Sequence, residues 1–74
     1  MKLSEASQNK TFAISQINGP ELIVERLSEL GFYVGKQVQL IGQSPFSGPL
    51  VIRSGSQVVA LRIEEAKCIQ VKTL

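Results

Sequence analysis

The side chains of this 74-residue sequence closest to doing chemistry are one cysteine, six glutamates and a scatter of serines, with no histidine and no aspartate among them. General acid and base catalysis needs a histidine or carboxylate whose surroundings shift its pKa. Here Glu5, Glu21, Glu25, Glu29, Glu64 and Glu65 all fall in helix-like or terminal polar stretches, where solvated charges are expected. Cys68 has no histidine to activate it as a nucleophile, and beside an inward Ile69 it is expected to be an outward or half-buried structural thiol. No serine lies in a G-x-S-x-G elbow, and no glycine-rich segment matches the phosphate loop G-x-x-x-x-G-K-[ST]. A borderline metal wants cysteine and histidine and a hard one wants converging carboxylates. No catalytic residue, metal site or cofactor site is expected, which leaves binding and regulation as the function classes.

The elements that would carry a binding surface are short. Phe12 to Ile17 reads as a strand with imperfect alternation, stopped by Asn18 and Gly19. A helix is expected from Pro20, at its first turn, to Leu30, with Ile23, Leu27 and Leu30 on one apolar stripe and Val24 beside it. Gly31 follows where a left-handed residue would end it. An elbow, Phe32 to Gly35, leads to a strand over Lys36–Gln43 with Val38 and Leu40 inward. Ser44 to Pro49, with two prolines and Gly48, is a loop. Leu50–Arg53 and Gln57–Arg62 form a hairpin around Gly55, and the apolar run Val58 to Leu61 suggests that both faces of the second strand are covered. One helical turn at Glu64–Ala66 and a last strand over Lys67–Lys72, with Ile69 and Val71 inward, complete the chain. The best fit is a mainly β fold. A small, strongly bent antiparallel barrel of SH3-like or OB-like type is expected, with one α-helix inserted after the first strand and no exposed edges.

At 74 residues there is room for one domain, residues 1–74, with stability of roughly 4–11 kcal/mol. A composition of 43% hydrophobic and 19% charged residues is that of a folded globular chain. The formal charge of +2 comes from basic residues spread singly, which argues against a nucleic-acid binder, since such proteins cluster cations against neighbouring phosphates. A lone cysteine allows no intrachain disulfide, and neither a signal peptide nor a membrane-spanning run is visible. A reduced, cytoplasmic location is expected, with any membrane role played as a soluble attachment.

Phe32, Tyr33 and Phe46 are three of only four aromatics, and all lie in connections. Phe32 is expected to pack behind the helix end and Phe46 to fold over the barrel mouth. Tyr33 and the Pro45–Pro49 loop cost little entropy to immobilise on a partner. Helix, elbow and proline loop are expected to close one end of the barrel and present a rigid surface there. Arg26 and Arg62 read first as solvated charges.

The segments RLSELG, FYVGKQV, SPFSGPL, VALR and EEAKCIQV, in that order, resemble the FeoA family of ferrous iron transport proteins, and Leu3, Ile14, Ile17 and Gly19 match its opening. Val34 departs from a usual proline, Ser47 and Gly48 from a usual glycine-aspartate order, and Gly55 is offset by one. The resemblance implies an SH3-like barrel without enzymatic activity, with a family-level association with transition metal ions. It also implies a cytosolic accessory role, in which the protein binds and modulates FeoB, the membrane ferrous iron transporter with a cytosolic GTP-binding domain. Carried over by position, it marks Gly19, Leu27, Leu30, Gly31, Gly35, Gly48 and Pro49 as structural. The match also covers Arg26, Pro45 and Arg62, and together with the loop aromatics Tyr33 and Phe46 these are the expected partner contacts. Self-association is left open.

Three rivals remain. The same domain occurs fused to iron-dependent repressors as an interaction module; no DNA-binding helices precede it here, so a stand-alone protein is expected. A small nucleic-acid-binding barrel would show steep salt dependence. A reader of proline peptides would need an aromatic-lined groove that four aromatics can barely furnish.

Overall fold

In a computed structural model describing residues 1–74, five strands are interleaved with helical turns. A 3-10 turn (Leu3–Glu5) precedes β1 (Thr11–Ile17), α1 (Glu21–Glu29), β2 (Gln37–Gln43), β3 (Leu50–Ser54), β4 (Gln57–Leu61), the four-residue helix α2 (Ile63–Ala66) and β5 (Ile69–Thr73). All strand pairs are antiparallel and the sheet order is β4-β3-β2-β1-β5. This is the mainly β, SH3-like arrangement that the sequence predicts. It differs in one respect: β4 and β5 do not pair, so the sheet curls without closing. The chain crosses that gap through α2, whose Ala66 is buried. The free side of β5 is covered by the N-terminus, with Met1 and Val71 exchanging backbone hydrogen bonds and Lys2 bridging Gln70.

Two bulges bend the sheet around its core. In β1 the register slips between Ile14 and Gln16, and in β2 between Leu40 and Gly42, each leaving one extra residue on the bulged strand. A bulge kinks and twists a strand locally, and the first explains the imperfect alternation of β1. Phe12 and Ile14 are buried before it, while Ser15 and Gln16 are exposed. Val38, Leu40, Leu50, Ile52, Leu61, Ile69 and Val71 complete the inner face. Leu3 and Ala6, in a segment with no readable periodicity, also reach the core. Val58 and Ala60 are exposed, against the expectation that β4 is covered on both faces. Their run of apolar residues alternates with Val59 and Leu61 in the ordinary period-two manner.

Helix α1 begins one residue later than its sequence suggests. Pro20 is the N-cap, extended at ψ 140°, and its carbonyl accepts from Ile23 and Val24. The helix sends one fully buried residue, Leu27, into the core, with Ile23 and Leu30 packed partly against it. Its end is built by backbone geometry: Gly31 at φ 92° lets its own N–H reach the Ser28 carbonyl and that of Phe32 reach Leu27. This pair of bonds is the Schellman closure, in which the residue after the left-handed glycine packs on the last turn. Phe32 and Leu27 accordingly share the core cluster.

A second tie holds α1 in place. Glu65, expected to be solvated, is 5% exposed and is the one buried charged residue. Its Oε1 accepts from the Arg62 backbone N–H at 3.0 Å, capping α2, and its Oε2 pairs with the Arg26 Nε–H on α1. A buried carboxylate survives only when its oxygens are satisfied. The two helices and the end of β4 are thereby joined through one side chain.

Two stability outcomes follow from this packing. Leu27→Ala should cost about 2–5 kcal/mol, seen as a lower urea midpoint at unchanged m-value; a loss below about 1 kcal/mol would mean that α1 is not anchored there. A double-mutant cycle with Arg26→Met and Glu65→Gln should give a coupling of about 0.5–1 kcal/mol, kept small because the Arg26 side chain is 57% exposed. Zero coupling would show that the ion pair contributes nothing to holding the helices.

Candidate functional site

The connection between β2 and β3 is a compact loop with its aromatic residue turned outward. Its base is closed by a bond from the Ser44 N–H to the Pro49 carbonyl at 2.9 Å, continuing the pairing of Gln43 with Leu50. Inside it, the Gly48 N–H points at the carbonyls of Ser44 and Pro45, at 3.3 and 3.2 Å. A Cβ on Gly48 would fall 2.8 Å from the Ser44 Cβ and 3.0 Å from the Pro45 carbonyl oxygen, so only glycine allows the loop to fold this tightly. At the tip, Phe46 and Ser47 both take left-handed backbone, at φ 60° and 57°. Phe46 is 100% exposed. It does not fold over the barrel mouth, because the turn that packs Gly48 against Ser44 aims the ring away from the sheet. Left-handed backbone at non-glycine residues costs about 1–3 kcal/mol each, and a phenylalanine left in water forgoes about 1.5–3 kcal/mol of burial. Both costs fall on one residue.

The elbow after α1 is built differently. Tyr33 and Val34 are 60% and 62% exposed, whereas Phe32 is buried. The Lys36 Nζ donates to the Gly31 carbonyl at 2.8 Å and sits 5.6 and 5.5 Å from the Phe32 and Tyr33 ring centres. That geometry is a cation–π contact that steadies the tyrosine ring. The Gly35 N–H bonds the Ile14 carbonyl at 2.8 Å, pinning the elbow to β1.

The candidate contacts fall into two groups. The register Gln43–Leu50–Leu61 places the proline loop and Arg62 at the same end of the β2–β3–β4 ladder, and Glu65 links Arg62 to Arg26. Pro45, Phe46 and Arg62 therefore lie at one end of the ladder, and Arg26 is tied to the Arg62 backbone through Glu65. Tyr33 does not join them: the elbow enters β2 at Gln37 and the proline loop leaves it after Gln43, so the two lie at opposite ends of that strand. The expectation that helix, elbow and loop close one end together fails for this reason. Leu22, 80% exposed on α1 one turn before Arg26, is an additional surface residue. Its signal was its place off the Ile23–Leu27–Leu30 stripe. The one hollow, of about 240 Å³, lies between Thr11, Gln37, Val38, Gln39, Arg53 and Gly55, and one of its six lining residues is hydrophobic. No three histidine, cysteine, aspartate or glutamate side chains converge.

Comparison with known proteins follows the same lines. A family model described as the FeoA domain matches residues 1–73, and no curated protein matches at a significant level. Among solved structures, iron(II) transport protein A of Clostridium thermocellum superposes with a TM-score of 0.92 at 27% identity, over 100% of this chain and 46% of that one. The chain thus spans about half the length of that relative. The zinc complex of Stenotrophomonas maltophilia FeoA, described as a prokaryotic SH3 domain protein, superposes with a TM-score of 0.81 at 33% identity, over 97% of this chain and 89% of that one. A manganese-dependent transcriptional repressor shares the fold, with a TM-score of 0.91 at 17% identity, over 100% of this chain and 41% of that one. With the family model covering nearly every residue, and the five-stranded SH3-like sheet carrying the helix after its first strand, this chain belongs to the FeoA family, small accessory domains associated with ferrous iron transport.

Proposed function

We propose that this protein is a non-enzymatic accessory factor of ferrous iron uptake that acts in the cytoplasm as one domain, residues 1–74, binding FeoB and modulating its transport by protein contact. The observation that carries the reading is Phe46. A fully exposed aromatic, held in left-handed backbone at the tip of a loop bounded by two prolines, is costly to the free protein and cheap to immobilise on another. Aromatic anchors of this kind supply most of the energy at protein interfaces. Arg62, at the same end of the strand ladder as the loop, adds a positive side chain suited to orienting an encounter, whereas the charge of Arg26 is already paired with Glu65. Membership of the FeoA family supports the link to iron transport, and no helix is long and apolar enough to cross a membrane by itself.

The test is an NMR titration of the labelled protein with the purified cytosolic GTP-binding part of the cognate transporter, in GDP and in a GTP analogue. Resonances of Pro45-flanking amides, Phe46 and Arg62 should shift in at least one nucleotide state. Phe46→Ala should weaken binding about 30-fold or more while leaving the urea midpoint unchanged or higher. Absence of shifts at high partner concentration, repeated with the intact transporter in detergent, would overturn the reading. Equal binding by Phe46→Ala would remove the anchor role alone.

A further inference from the structure

The two edges of the open sheet are treated differently. Met1 and Lys2 cover β5, but nothing covers β4. Strand β4 returns from β3 through the two-residue turn Gly55-Ser56, with Ser54 opposite Gln57 and an unbroken register to Leu50 opposite Leu61. In such a hairpin the pair next to the turn exchanges hydrogen bonds, and alternate pairs follow. Gln57, Val59 and Leu61 therefore turn their backbone groups toward β3, and Val58 and Ala60 turn theirs outward. No backbone hydrogen bond other than those of the β3 ladder reaches residues 57–61. The usual protections of a bare edge are a lysine, a proline or a bulge; the sequence QVVAL has none, and its register is regular. Val58 is 54% exposed, and Ala60 is exposed beside it on the same face.

We propose that β4 pairs antiparallel with β4 of a second copy of this chain, about a two-fold axis through Val59. That register sets Val58 of each copy opposite Ala60 of the other, so the four outward N–H and C=O groups of each strand are satisfied by four hydrogen bonds. The large Val58 side chain meets the small Ala60, while Gln57 stands opposite Leu61, whose side chain stays in its own core. The pairing puts no charge opposite a like charge despite the net charge of +2: Arg62 faces Ser56, and the two Arg62 residues stand roughly 20 Å apart along the strands. A single shared strand pair buries less than the ~1,200 Å² of a standard stable interface. The dimer is therefore weak and transient. The pairing uses neither Phe46 nor Tyr33, and it meets the proposed transporter contact only at Arg62, which faces Ser56 of the second copy.

The experiment is a concentration series of the full chain, isotope-labelled, followed by NMR diffusion and by hydrogen exchange of individual amides. Diffusion should slow with concentration, and the Val58 and Ala60 amides should gain about tenfold protection across the series, while Val59, already bonded to β3, should not change. A mixed-label sample should show an intermolecular Hα–Hα contact between the Val59 residues of the two copies. Val58→Lys, a change at an exposed site, should abolish all three signals and keep the dispersed spectrum of the folded chain; Ala60→Pro, which removes an outward N–H, should do the same. Unchanged diffusion and exchange at millimolar protein would overturn the proposal. So would self-association that survives Val58→Lys, or protection of Val58 and Ala60 seen only after another protein is added, which would assign the edge to a foreign strand.

Discussion

One apolar cluster holds this protein together, and every element contributes to it. Its fourteen buried side chains include Leu3 from the N-terminal turn, Leu27 from α1, Leu61 from β4 and Ala66 from α2, with two from each of the other four strands and Ala6 and Phe32 from connections. A chain of this length buries a smaller share of its surface than a larger domain does. There is no second core to compensate for a weakened one. The two bulges, the helix stop at Gly31 and the Met1–Val71 pairing are all means of bringing short elements to that shared centre.

Around the cluster, the helices are secured by a polar device rather than by more apolar area. Glu65 is buried, but each carboxylate oxygen has a donor, one from a backbone amide and one from Arg26. Leaving either oxygen without a partner would cost more than the bond contributes when made. The arrangement fixes the position of Arg62, and the strand register in turn fixes Arg62 relative to the proline loop. Geometry at the surface is thus inherited from a buried contact.

The proline loop places its cost where a partner would recover it. Its backbone is strained at Phe46 and Ser47, while Gly48 packs too closely for any side chain. A protein with modest stability keeps such a feature only if the remainder of the fold over-determines it. The Ser44–Pro49 closure and the hairpin pairing beyond it supply that constraint.

Composition and local pattern in the sequence determined a good deal: five short strands, a helix starting near Pro20 and ending at Gly31, inward Val38, Leu40, Ile69 and Val71, and the FeoA resemblance. These are period and turn signals, set by neighbours in the chain. The features that the local pattern does not carry involve residues far apart in sequence. Glu65 carries no mark that distinguishes it from Glu64; it is buried because Arg26, nearly forty positions earlier, lies over α2. Leu3 and Ala6 show no periodicity, and they enter the core because the N-terminus pairs with β5. Phe46 was legible as an aromatic in a loop, but its outward aim depends on the φ values of two residues. The separation of Tyr33 from Phe46, and the bare edge of β4, follow from which strands pair and which do not. Local sequence sets the elements through short-range sterics and periodicity, whereas burial, ion pairing and edge exposure are properties of the assembled sheet.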